Sequence, residues 1–423
     1  MSTRYPPIQL ALQTEKDGKH IRLHQPAPPP ELTPPVTPTI EDDAVPGSLA
    51  VDGSSKPKSP PPAPTPPDEV SGNVCDPQQL LKPLEFLQDL ELRRDASGRP
   101  VEYGRGVWSV VYMATSRGTS QARSSTPPAS PATANRVFAV KTPLRRDAHA
   151  VLQAEALTLT RIRCTPGQER HVVPFHGFVP STQSIVMSAV PLTLSTYIEE
   201  RAAVAREKFS TRTMFDPVLG MSQWLDLARK LIAGLSWLHN GPRVVHGDIK
   251  PHNFLLRPRA TGDESNPDAF PYDPLYTDFS SAHDFSATPA FKSPGTSISA
   301  LTPPFAAPEL LSISTLKSPV VVPTPASDVF SLAVTLLAAA TGDLLLYPGV
   351  SSMQRLAMSR DGHRVLEFVR SGANGSRAPR NGPVDLALKP AVLKEPADRI
   401  TPEGWLRLID PKSGLGPALH CSS

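Results

Sequence analysis

Asp248, Lys250 and Asn253 fall within six residues, in His246-Gly247-Asp248-Ile249-Lys250-Pro251-His252-Asn253, and the apolar run Phe254-Leu255-Leu256 follows. A carboxylate, an ammonium and a carboxamide on one short loop are what phosphoryl transfer needs. The carboxylate orients an attacking hydroxyl and accepts its proton. The ammonium neutralises charge on the group in flight, and the carboxamide holds a metal ion that bridges nucleotide phosphates. A blander reading, a polar loop that only caps a helix, does not explain so many required types in order.

Such a loop works only on a rigid mount, and the flanking sequence offers one. Residues 222–239 place Trp224, Leu225, Leu227, Ala228, Leu231, Ile232, Leu235 and Leu238 on a broad apolar face, and Asn240-Gly241-Pro242 ends the helix. Val244-Val245 then leads straight into the loop as a short strand.

Upstream, Tyr103-Gly104-Arg105-Gly106-Val107-Trp108-Ser109-Val110-Val111 reads as a hairpin whose tip must approach another group closely, which glycines permit. Val137-Phe138-Ala139-Val140-Lys141 alternates like a half-buried strand ending in a lysine, and 147–162 has helical spacing with Glu155 fourteen positions after Lys141. Two glycines in a turn or one lysine at a strand end are weak signals alone. Three elements in this order are not.

Together these stretches resemble the eukaryotic protein kinases of the Ser/Thr type. The loop matches H-R-D-x-K-x-x-N with Gly247 in place of arginine, and the hairpin matches G-x-G-x-x-G-x-V with Ser109 in the third glycine position. Val137–Lys141 matches V-A-I-K. Further on, Asp278-Phe279-Ser280 matches D-F-G with serine for glycine, and Thr302-Pro303-Pro304-Phe305-Ala306-Ala307-Pro308-Glu309 matches the end of an activation segment. Asp328–Leu337 resembles the central helix of the family's larger lobe.

The resemblance spans roughly residues 90–412 and implies a two-lobed α+β fold. A small antiparallel sheet with one helix, the αC helix of the family, makes the N-lobe, about 90–190. A larger, mainly helical C-lobe follows, about 191–412. It implies ATP and Mg²⁺ as cofactors, with Gly104, Arg105, Gly106, Ser109 and Val111 covering the nucleotide and Ala139 lining its site. Lys141, paired with Glu155, would grip the α- and β-phosphates. Met187 would sit behind the adenine pocket, with Ser188 to Val190 as the hinge. Asn253 and Asp278 would hold the metal, Asp248 would orient a protein Ser or Thr hydroxyl, and Lys250 would steady the γ-phosphoryl. Thr302 would support Asp248 and Lys250, Glu309 would pair with Arg399, and Asp328 would bond the catalytic-loop backbone. Phe279 would pack beneath the helix of Glu155, against Leu159 and His246.

Small-molecule kinases with a His-Gly-Asp loop are the nearest alternative for the loop alone, but they lack the Ala-Pro-Glu and central-helix segments present here. A pseudokinase, a kinase-shaped scaffold or interaction module, is the runner-up, because Gly247 and Ser280 depart from the family pattern. A purely structural protein does not account for Lys141, Glu155, Asp248, Asn253 and Asp278 together. Without the arginine that Gly247 replaces, activation through a phosphate in residues 280–300 is not expected.

Composition sets the remaining bounds. The net charge is +3 from 43 basic and 40 acidic side chains, which points to no nucleic-acid partner. The apolar run 329–346 is interrupted by Gly342-Asp343 and reads as a buried helix rather than a membrane span. Cys75, Cys164 and Cys421 are odd in number and widely spaced, so neither a disulfide framework nor a zinc site is expected. With no secretory leader in residues 1–12, the expectation is a soluble intracellular protein of the cytoplasm or nucleus.

Fifty-one prolines cluster in low-complexity stretches. Residues 1–75 read as a disordered proline-rich tail ahead of a domain at 76–412, and 413–423 as a short second tail. The tail's P-x-x-P spacing suits SH3 or WW domains, and Thr33, Thr37, Ser59 and Thr65 precede prolines, although a solvated linker explains both. Polar insertions are expected at about 116–134 and 258–274. Residues 79–92 carry a mixed apolar pattern in which Pro83 argues against one uninterrupted helix.

Overall fold

The computed structural model describes residues 81–116, 136–259, 269–285, 301–312, 315, 322–347 and 349–410. The tails, most of both insertions and most of the 280–299 loop lie outside these residues.

The smaller lobe is a six-stranded antiparallel sheet built from β1 (Leu90–Leu92), β2 (Glu102–Arg105), β3 (Ser109–Ser116), β4 (Val137–Pro143), β5 (Phe175–Val179) and β6 (Ser184–Ser188). Its order is β1-β3-β4-β6-β5, with β2 also paired to β3. Residues 82–92 form no helix: the chain runs extended, Phe178 donates to Leu84 O at 2.7 Å, and Phe86 donates to Phe178 O at 2.8 Å. Pro83 sits in that stretch, where a helix would lose a hydrogen bond.

Between β4 and β5 lies α1 (Ala148–Arg163). Its buried side chains, Ala148, Leu152, Glu155, Ala156, Leu159, Thr160 and Ile162, recur at helical spacing along one face. Glu155 is thus a carboxylate placed among apolar neighbours, a position that demands a partner.

The larger lobe holds α2 (Leu194–Glu207), α3 (Met221–Asn240), α4 (Pro325–Thr341), α5 (Ser352–Arg360), α6 (Val365–Arg370), α7 (Pro383–Leu388) and α8 (Pro402–Ile409). Every residue of α4 from Ser327 to Thr341 is buried. An all-round apolar helix of this kind belongs inside a core. It starts with a reciprocal Thr324/Ser327 capping box and Pro325 in the first turn, and it stops at Gly342, whose φ of 74° suits glycine. Trp224 of α3 donates its indole N–H to Leu336 O of α4 at 2.9 Å, which fixes the two helices to each other.

Two short ribbons complete the lobe. One pairs β7 (Val244–Val245) with β10 (His283–Asp284), and the other pairs β8 (Phe254–Pro258) with β9 (Tyr272–Tyr276). The second corrects the expected insertion at 258–274, because Tyr272, Asp273 and Pro274 belong to a strand. Pro274 is tolerated because it faces Leu256, whose own N–H turns out of the ribbon to Leu192 O, so the ladder loses no hydrogen bond at that position. Cys164, at the end of α1, is disulfide-bonded, against the expectation drawn from cysteine spacing, and no other cysteine lies among the described residues.

Two lobes, one antiparallel sheet with a helix and one mainly helical, are the arrangement the sequence implies. Among the described residues no helix is long and apolar enough to cross a membrane.

Candidate active site

The catalytic-loop candidates are held from below by α4. Asp328 accepts the backbone N–H of His246 at 2.8 Å and that of Gly247 at 3.0 Å, one on each carboxylate oxygen. Its Oδ2 also meets His239 Nε2 at 3.1 Å. A 1 % exposed carboxylate is stable only when its lone pairs are used this way. His246, fully buried, takes the Asp248 N–H on Nδ1 at 3.3 Å and bonds Thr277 O through Nε2 at 3.0 Å. The first contact makes Nδ1 the bare nitrogen, so Nε2 carries the proton.

On this mount Asp248, Lys250, Asn253 and Thr302 form one closed network. Lys250 Nζ donates to Asp248 Oδ2 at 2.6 Å and to Thr302 Oγ1 at 2.9 Å, and Thr302 in turn donates to Asp248 Oδ1 at 3.3 Å. Asn253 Nδ2 donates to Asp248 O at 2.7 Å and to Asp248 Oδ2 at 3.2 Å. With its N–H groups so committed, the carbonyl oxygen is what Asn253 can offer a cation. Burial raises the pKa of Asp248 and Asp278 adds to the rise, while Lys250 opposes it; the net result lies above the ordinary aspartate value.

A second cluster joins three distant segments. Lys141 Nζ lies 2.7 Å from both carboxylate oxygens of Glu155 and 2.7 Å from Asp278 Oδ1. Lys141 and Glu155 are only 4 % and 1 % exposed, whereas 38 % of the Asp278 side chain is open to solvent. Burial opposes the charge on Lys141, but Asp278 and Glu155 outweigh it, and its pKa lies above the usual lysine range. Burial likewise opposes the charge on Asp278, and Lys141, then Lys250 and the Ser280 hydroxyl, reverse that and hold its carboxyl well below the usual range. Glu155 is pushed up by burial, with Lys141 countering in part.

The turn after β9 makes this cluster possible. Asp278 adopts φ 62°, and Phe279 follows, 1 % exposed, donating its N–H to Glu155 Oε1 at 3.0 Å. The Phe279 ring lies 4.9 Å from that of His246, and both Phe279 and Leu159 belong to the core under α1.

The glycine hairpin stands over Lys141. Val111 is opposite Lys141 in the β3–β4 register and opposite Gly104 in the β2–β3 register. A Cβ at Gly104 would meet nothing within 4 Å, and one at Gly106 only Ser109 O at 3.9 Å. The protein's own packing therefore does not require glycine at either position. Arg105 is exposed and pairs with Glu102 at 2.6 Å, and Ser109 is buried.

Ala139 and Met187 are direct partners across β4 and β6. Ser188 follows, with its hydroxyl 2.9 Å from His176 Nε2, and Val190 begins the link to the larger lobe. Glu309 and the buried Arg399 form a two-pronged pair at 2.8 and 2.7 Å, the geometry that makes arginine–carboxylate pairs strong.

The family model for the protein kinase domain matches residues 128–386. The chain belongs to the protein kinase family. No curated protein matches it. The matched stretch includes Lys141, Glu155, residues 246–253, Asp278 and α4, while the glycine hairpin and Arg399 lie outside it.

Sequence reasoning did not find His239 as a third partner of Asp328, although a polar side chain on the apolar face of α3 was a usable signal. The Phe279 N–H contact to Glu155 had none, since it depends on a backbone turn.

The residues fit ATP and a divalent cation. Among the described residues no three His, Cys, Asp or Glu side chains cluster into a self-sufficient metal site. A Mg²⁺ ion held by Asp278 and the Asn253 carbonyl would complete its shell with phosphate oxygens and water, as is usual for this ion.

Proposed function

We propose that this kinase transfers the γ-phosphoryl group of Mg-ATP to serine or threonine hydroxyls of proteins. The observation that carries this reading is the closed Asp248–Lys250–Thr302 network. It holds a carboxylate of raised pKa beside a fixed ammonium, which suits a group that orients a hydroxyl and takes up its proton.

Mg-ATP, once bound, would supply the phosphoryl group and its cation the charge neutralisation. The chain's own residues do the rest. Gly104 to Val111 would cover the phosphates, Ala139 and Met187 would flank the adenine with Ser188 and Val190 at the hinge, and Lys141 would grip the α- and β-phosphates. Lys250 steadies charge on the transferred group. The domain at 76–412 carries this activity. Its natural partners are proteins bearing Ser or Thr, and the proline-rich residues 1–75 would meet SH3- or WW-type domains.

A second reading, a nucleotide-binding scaffold without transfer, draws on Gly247, on Ser280 and on the engagement of Lys141 by two carboxylates. Asp248→Ala separates the two. The kinase reading expects transfer to disappear while Mg-ATP binding persists. Equal phosphorylation by both proteins would overturn the assignment of Asp248.

A further inference from the structure

The last turn of α1 and the chain just past Asp278 are tied together by contacts that the chemistry above does not use. Arg161 Nη1 lies 3.7 Å from Asp284 Oδ2, with the side chains 38 % and 27 % exposed. Asp284 is on β10, opposite Val244 of β7, the strand that runs into His246. One residue on, Phe285 donates its N–H to Arg243 O at 3.1 Å. The Phe285 ring lies 4.6 Å from the Arg243 guanidinium and edge-on to His239 at 6.2 Å. His239 is the partner of Asp328, which holds the catalytic loop.

Of these contacts, the Arg161–Asp284 pair reaches the helix that carries Glu155. Six residues separate Glu155 from Arg161, about 9 Å along a helix axis. The apolar face of α1 is packed on the core through non-directional contacts, and contacts at the helix end add to that hold. Beside Arg161, Thr160 accepts the Leu84 N–H at 2.9 Å, so the last turn is held from the sheet side as well.

We infer that Arg161 and Asp284 are positioning residues: their pair sets α1 so that Glu155 meets Lys141, and it fixes the segment after Asp278 on the strand leading to the catalytic loop. The device consists of side chains alone and needs no added phosphate. It agrees with position 247, where φ is +79° and a Cβ would lie 2.6 Å from Ser281 O. No side chain fits there to gather a phosphate.

The inference rests on the kinase reading for its kinetic arm only. The test uses the full chain as wild type, Arg161→Gln, Asp284→Asn, the double variant and the conservative Asp284→Glu. Hydrogen exchange of the α1 amides is measured beside kcat and KM for ATP. Each single variant should exchange faster along α1 and lose roughly fivefold or less in kcat/KM, as suits a partly exposed pair. The double should be no worse than either single, and Asp284→Glu should recover most of the loss. Unchanged α1 exchange in both singles, or full additivity in the double, would overturn the inference. If the wild type turns over no ATP, the proposed reaction is what fails, and the exchange data alone decide the pair.

Discussion

The Asp248 cluster and the Lys141 cluster both join opposite charges at hydrogen-bond distance, yet they rest on different foundations. Asp248, Lys250 and Asn253 lie within one loop whose backbone is bonded to the buried Asp328 of α4. Lys141, Glu155 and Asp278 come from a strand, a helix and a turn far apart in the chain, and they meet only while α1 is seated. The first is a fixed fixture of the larger lobe. The second is an assembly that α1 makes or breaks. Divided in this way, the site holds the Asp248 network within the larger lobe and makes the Lys141 cluster depend on the placement of α1.

Lys141→Met should produce the largest effect on stability. It leaves the buried Glu155 carboxylate without its cation, which costs about 3–5 kcal/mol when one partner of a buried pair is removed. Chemical denaturation would read this as a lower midpoint, and a loss under about 1 kcal/mol would show that the cluster is solvated rather than buried. Asp328→Asn should cost less, about 1.5–3 kcal/mol for weakening bonds to a charged group. It should also lower kcat, with KM for ATP nearly unchanged, because only the catalytic-loop mount is touched. A rise in KM instead would erase the distinction between the two foundations.

Gly247→Ala comes next, at about 1–3 kcal/mol for a side chain forced into the left-handed region. The clash with Ser281 O adds to it. A neutral thermal shift would contradict that geometry.

The smallest effect is on pH dependence. Because burial raises the pKa of Asp248, the acidic limb of kcat/KM should lie above the ordinary aspartate value of about 3.9. Lys250 lowers that pKa, so Lys250→Met should move the limb to still higher pH. A limb that stays put would remove Lys250 from the network.

Much of this arrangement was legible in the chain because local motifs carry it. The spacing of Lys141 and Glu155 survives because a strand and the helix after it have fixed geometry, and Arg399 was readable as the partner of Glu309. The link between Arg161 and Asp284 was not legible. It depends on a two-residue strand, β10, too short to leave a period in the sequence. Residues 272–274 misled for the opposite reason: Asp273 and Pro274 carry turn propensity, and pairing with Arg257 and Leu256 across β8 overrides it. Contacts between segments distant in sequence, such as Leu84 with Thr160, leave no trace in either segment alone.

The most direct measurement is Mg-ATP turnover by the wild-type chain on a generic basic protein substrate, followed by phosphoamino-acid analysis. The account predicts phosphoserine and phosphothreonine. Phosphotyrosine would contradict the serine/threonine assignment. The absence of transfer, with Mg-ATP still stabilising the fold against heat, would contradict the kinase activity itself and establish the scaffold.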